Sequence, residues 1–384
     1  MKKQLKTSQL LIGKCLFCLS LILTIPQQLF AKTCSSGGPI ASRCQKPPSL
    51  SQKLGNSELQ IFLKVWHEIN YRHAFLAERG VDWNCAFWES FERLGKNPVR
   101  SQIRSEMEIM LRKLKDGHTF LDSKRMFEYG SKDLAKKGSL LSSIFLDEGS
   151  KTLAQGEVQY GQLKEEPELG YLRVDSMEEP VLPSHLSKAL KALSPQSKGI
   201  IVDLRFNGGG YDSTALSLMG HFTKTKILSH YKAPYFRNEK LQWQSIFIQP
   251  RSPFIDLPIV FLIGSKTRSA AEIGAIAARA LRSKDKENFI SIGDFTEGIT
   301  SDIVQARIGS FTIGFSGERY VGPSCEVFEV AGVGPDLFSS SATTGASLAK
   351  RIENFERHIN KSLKSGKDSD VVQAIEWLNK AISN

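Results

Sequence analysis

The stretch from Gly199 to Gly210 constrains the fold more than any other: Gly-Ile-Ile-Val-Asp-Leu-Arg-Phe-Asn, then three glycines. An apolar run too short for a helix and stopped by glycine reads as a strand buried on both faces. Such strands belong to sheets covered by helices. Two further runs, Gly170 to Val174 and Pro258 to Gly264, alternate with helix-like segments at Pro183 to Leu193, Ser213 to Thr223 and Ala270 to Ser283. The alternation predicts an α/β layered core over residues 169–340. Upstream, Leu59, Phe62, Leu63, Trp66 and Ile69, and then Ile103, Met107, Met110, Leu111 and Leu114, repeat at helical spacing. Residues 57–125 therefore read as an N-terminal helical bundle, 126–168 as a small hairpin or lid, and 341–384 as a helical tail.

The first 31 residues have the form of a signal peptide: a basic start, an apolar stretch from Leu10 to Ile25 and a small-residue processing site at Ala31. The apolar stretch carries Lys14 and falls short of a bilayer span, so no stable membrane span is expected after cleavage. A Gly-, Pro- and Ser-rich linker over 32–56 follows. The net charge is +11, but four lysines lie in the first fourteen residues, and the other basic residues are interleaved with acids. No finger, homeodomain or RNP-like pattern accompanies them, so a nucleic-acid partner is not expected. Removal of the leader leaves Cys34, Cys44, Cys85 and Cys325, an even number that suits an exported, periplasmic or secreted protein with disulfides. Three pairings are open, among them a local Cys34–Cys44 loop that would leave Cys85 to Cys325 as a long-range link.

Three segments carry chemistry. Gly208, Gly209 and Gly210 close a buried strand just before a helix, where backbone N–H groups can approach an anion. The surrounding residues fit neither a P-loop nor a dinucleotide fingerprint. Ser269 opens a helix of small residues (Ala270, Ala271, Gly274, Ala275), as a nucleophile-bearing turn requires, although a serine there also suits a simple N-cap. His118 emerges in Asp116-Gly117-His118-Thr119 after a helix, one of seven histidines, and spacing alone does not select it.

The order Asp-Gly-His-Thr, Gly-Tyr-Leu-Arg-Val, Asp-Leu-Arg-Phe-Asn-Gly-Gly-Gly, Thr-x-Ser-Ala-x-Glu and Glu-x-x-Gly-Val-x-Pro-Asp resembles the C-terminal processing peptidase superfamily over roughly residues 57–340. That group takes in tail-specific proteases, the tricorn core, the retinoid-binding modules and the chlamydial protease-like activity factor. The resemblance implies a crotonase-like (ClpP-type) layered β/α core and a serine-type peptidase acting on polypeptide substrates. It assigns Ser269 as nucleophile, with the N–H groups of Gly209 and Ala270 as oxyanion hole. The tail-specific branch carries a lysine base where this chain has Ile299, so the resemblance turns to the Ser–His–Glu branch, with His118 as base and Glu329 as its carboxylate. Only 51 residues separate His118 from Gly170, too few for the PDZ module of the tail-specific branch, about 80–100 residues. The alternatives are a catalytically silent module binding an apolar ligand and an esterase for small acyl substrates. No haem, phosphate-loop or metal-ligand pattern is present, so no cofactor is expected.

Overall fold

The computed structural model describes residues 41–128 and 134–383. The leader, the Ala31 processing site and Cys34 lie outside the described residues. Nine α-helices are assigned among them: α1 Ser57–Arg72, α2 Trp83–Leu94, α3 Arg100–Arg112, α4 Leu134–Phe145, α5 Pro183–Leu193, α6 Asp212–Gly220, α7 Ala270–Lys284, α8 Leu348–Ser365 and α9 Ser369–Ser383.

The central sheet has seven strands in the order Leu337–Phe338, Phe289–Gly293, Ile259–Ile263, Gly199–Asp203, Leu169–Val174, Val158–Gln162 and Lys151–Leu153. The first five pair in parallel, and the last two add antiparallel at one edge. Alternation along the strands splits the apolar residues between two faces. Leu172, Val202 and Phe261 pack with Leu186, Leu190, Leu218, Ala277 and Leu281 of α5, α6 and α7. Tyr171, Ile201, Val260 and Leu262 pack with Val371, Ala374 and Leu378 of α9. Each such side chain taken fully out of water contributes about 1.5–3 kcal/mol, so neither face of a parallel sheet can be left bare.

Residues 126–168 do more than form a hairpin or lid. They supply α4 and the antiparallel edge of the main sheet. The C-terminal residues are likewise a packed helical hairpin that covers one sheet face, because Val371, Ala374 and Leu378 repeat at helical spacing and need an apolar partner.

The helices α1 to α3 share one core with a four-stranded sheet whose order is Ile303–Ile308, Phe311–Ser316, Phe120–Leu121 and Lys124–Arg125. Phe62, Trp66, Phe87, Met107 and Leu111 meet Phe311, Ile313 and Phe315 there. The helical region thus has no core of its own. A third sheet joins Glu318–Val321, Ile227–Pro234 and Gln244–Ile248.

The segment read as a linker is fastened to α2 over its described part. Cys44 is joined to Cys85, so the local Cys34–Cys44 loop and the Cys85–Cys325 link are both excluded. Cys325 is itself disulfide-bonded. Asp82 caps α2 through Cys85 N–H and also accepts from Ser42 Oγ at 2.7 Å and Arg43 N–H at 2.9 Å. Among the described residues no helix is long and apolar enough to cross a membrane.

Candidate active site

The chemistry gathers at the carboxyl ends of the parallel strands, where open α/β sheets leave a crevice for ligands. The strand Gly199–Asp203 runs into the glycine turn, Ile259–Ile263 into residues 264–269, and Phe289–Gly293 into the loop 294–300. Backbone hydrogen bonds lace these loops together: Arg268 N–H donates to Asn207 O at 3.1 Å, and Ser269 N–H to Ile299 O at 3.1 Å.

Ser269 precedes α7 with φ +53° and ψ −129°, a conformation that costs a non-glycine residue about 1–3 kcal/mol. Its hydroxyl makes no cap hydrogen bond, so the simple N-cap reading does not hold. The hydroxyl faces His118 instead, with Oγ 3.1 Å from Nε2. The strain is held by Glu272, wholly buried in the first turn of α7. Its carboxylate accepts from the N–H groups of Ser269 at 3.2 Å, Ile299 at 2.7 Å and Gly298 at 2.8 Å, and from the Thr296 hydroxyl. Burial pushes the Glu272 carboxyl up to about 8, against the donors that favour its charged form.

His118 is brought to Ser269 by strand register. Phe120 pairs with Gly314 and Leu121 with Ile313, which carries position 118 opposite Ser316. Ser316 Oγ lies 3.4 Å from His118 Nδ1 and donates to Asp116 Oδ1 at 3.1 Å. A proton on Nδ1 then points at Ser316 and leaves Nε2 free to accept. Asp116, fully buried, also accepts from His118 N–H at 2.9 Å and Thr119 Oγ1 at 3.0 Å, and lies 3.2 Å from His73 Nε2. Burial first, then Arg268, Arg125 and Arg79, lowers the His118 imidazole to about 3 against the pull of Asp116, so it is neutral at physiological pH.

Glu329 comes close but does not take the expected position. Its carboxylate accepts from Thr300 N–H at 2.7 Å and Thr300 Oγ1 at 3.2 Å, and pairs with Arg79. Among the described residues it makes no hydrogen bond to His118, and Arg79 sits between Glu329 and Asp116, 3.6 Å from Asp116 Oδ1. The carboxylate linked to the imidazole is Asp116, through Ser316. The sequence carried a signal for Asp116 and for Glu272, since each lies within three residues of a candidate and inside the same motif. Ser316 and Arg79 carried none.

Gly209 (φ +99°) lies against the nucleophile: a Cβ there would fall 2.6 Å from Ser269 Cβ. Its N–H, assigned from sequence to an oxyanion, donates to Asn207 Oδ1 at 2.9 Å. Gly208 N–H donates to Asp175 O at 3.1 Å, while the N–H groups of Gly210 and Ala270 have no acceptor among the described residues. A cavity of about 190 Å³ opens over this pair, lined by His118, Ser269, Gly208, Gly210, Arg125, Glu178, Arg268 and Asp302.

The sequence profile of peptidase family S41 matches residues 168–338. These residues are a peptidase family S41 domain. With it the chain is a serine-type peptidase. The S41 domain contains Ser269, the glycine turn, Ser316 and Glu329, whereas His118 and Asp116 come from the segment before it. The fold is similar to that of a protein from Parabacteroides merdae ATCC 43184 described as a peptidase. The two share 20% identity over 84% of this chain and 96% of that one, with a TM-score of 0.66. It is also similar to mature CPAF in complex with lactacystin (12% identity, 84% and 99% of the chains, TM-score 0.54) and to mature CPAF (12%, 80% and 96%, TM-score 0.53). No curated protein sequence matches the chain.

Proposed function

We propose that this S41 peptidase is an exported serine endopeptidase in which Ser269 is the nucleophile and His118 the general base. The observation that carries the reading is the 3.1 Å contact between Ser269 Oγ and a buried, neutral His118 Nε2, made by a serine held off ordinary backbone geometry. Ser269 Oγ adds to a peptide carbonyl carbon as its proton passes to His118 Nε2. The imidazolium then protonates the leaving amine as the C–N bond breaks, and water hydrolyses the acyl-serine by the same route. The developing oxyanion is met by Ala270 N–H and by the glycine turn, where Gly209 exchanges Asn207 for the substrate oxygen. Asp116, through Ser316, fixes the imidazole tautomer, and Glu329 supports Asp116 by holding Arg79. Export rests on the leader and on the disulfide chemistry of Cys44, Cys85 and Cys325.

The test is labelling of the purified protein with a fluorophosphonate, followed by peptide mapping, alongside turnover of a peptide library. Ser269 carries the label, and Ser269→Ala loses both labelling and several orders of magnitude of turnover while keeping its circular dichroism. Label on another serine, or wild-type turnover in Ser269→Ala, refutes the assignment.

A further inference from the structure

Arg205 is fully buried, and its guanidinium is shared among three carboxylates from two distant parts of the chain. Asp203 accepts from Nε at 3.0 Å and Nη2 at 2.6 Å. Asp368 takes Nη2 at 2.8 Å and Nη1 at 3.2 Å, and Asp370 takes Nη1 at 3.0 Å. Asp368 stands immediately before α9 and Asp370 in its first turn, beyond the 168–338 stretch of the S41 match. His358 of α8 closes the cluster, with Nε2 3.2 Å from Asp368 Oδ1. His358, Asp368 and Asp370 have the residue types of a metal site, but the Arg205 guanidinium already occupies the place of the cation.

The next residue is held by the same hairpin. Phe206 packs on Phe355 of α8, with ring centroids 5.6 Å apart, in a cluster with Leu141 and Ile359. Directly after it come Asn207, whose side chain holds Gly209 N–H, and Gly209, whose Cα abuts Ser269. The root of the glycine turn is therefore fixed by α8 and α9, and its tip meets the nucleophile.

We propose that the C-terminal helical hairpin is a positioning clamp for the glycine turn, with Asp368 and Asp370 as positioning residues acting through Arg205. The inference rests on the peptidase reading above. Six charge-assisted hydrogen bonds, including a second one from Nε to Asp203 at 3.2 Å, hold the rigid guanidinium fork in one place, as a single carboxylate would not. A glycine turn released from its root moves relative to Ser269, and misplacement on the scale of 1 Å costs up to about 100-fold in turnover.

The experiment compares the full chain with Asp370→Asn, with the double variant Asp368→Asn/Asp370→Asn, and with Leu190→Ala. Leu190 packs α5 on the opposite face of the sheet, outside the hairpin. Asp370→Asn keeps an acceptor oxygen for Arg205 and is the milder change. Values of kcat and KM for a peptide are measured per reactive site, counted by the endpoint of fluorophosphonate labelling, at a temperature where each variant is folded by circular dichroism. The expected result is a kcat about tenfold lower in Asp370→Asn and lower still in the double variant, with KM within about twofold. Leu190→Ala should lower the melting temperature and leave kcat per site unchanged. Wild-type kcat per site in folded Asp370→Asn overturns the clamp, as does an equal loss in Leu190→Ala. A wild-type chain that neither hydrolyses peptide nor labels refutes the peptidase reading instead.

Discussion

Lowering the pH from 7 to 5, a range in which Glu272 at about 8 is already mostly protonated, should leave the His118 contribution to kcat/KM for a peptide substrate nearly unchanged. The sequence, taking His118 as an ordinary imidazole, predicts an acid limb at about 6–7. The structure moves that limb, because burial and the neighbouring Arg268, Arg125 and Arg79 lower His118 to about 3. An imidazole at 6.5 is about 3% neutral at pH 5, which would reduce kcat/KM roughly 30-fold, whereas one near 3 remains about 99% neutral. The difference between the two values corresponds to roughly 5 kcal/mol of preference for the neutral ring. Initial rates with a fluorogenic peptide well below KM, from pH 4 to 9 at constant ionic strength, measure it directly. Stability must be followed in parallel. A histidine with a depressed folded pKa binds its proton more readily in the unfolded chain, so its contribution falls as the pH drops below about 6.5 and on toward 3. An inflection between pH 6 and 7, with circular dichroism constant, would refute the reasoning and place a solvated imidazole in the working enzyme. Arg268→Gln should shift the acid limb upward.

Gly209→Ala should lower kcat by at least about 100-fold with the fold retained, since the new Cβ would lie 2.6 Å from Ser269 Cβ and the φ of +99° favours glycine; steady-state kinetics with circular dichroism checks it. His230 is wholly buried, stacked on Tyr320, with Nε2 unpartnered and its imidazole lowered to about 3 by burial and Lys232. His230→Phe should therefore gain stability relative to wild type as the pH falls from 7 to 5, by about 2 kcal/mol in urea unfolding at the two pH values. An unchanged difference would show that His230 takes up its proton as readily in the folded protein as in the unfolded chain.

The sequence by itself determined the layered core and the two turns that meet at Ser269. Apolar runs such as Ile200 to Leu204, glycine stops and helix starts are local signals, because burial and backbone freedom act over a few residues. Order along the chain brought Ser269, His118 and Glu329 into view together as candidates. The tertiary structure alone decided their relations. The pairing of Phe120–Leu121 with Phe311–Ser316 puts Ser316 beside a histidine 198 residues away, and no local pattern encodes that register. The same holds for Arg79, which takes up the Glu329 carboxylate from a loop 250 residues earlier. The state of the imidazole was beyond the sequence for a different reason: His118 has an ordinary pKa as a residue type, and only the burial and the three arginines assembled by folding make it neutral. The C-terminal segment reads as a tail because its charges look solvated one by one. Asp368 and Asp370 turn inward to Arg205, whose charge is buried at the end of a strand and is matched there by carboxylates.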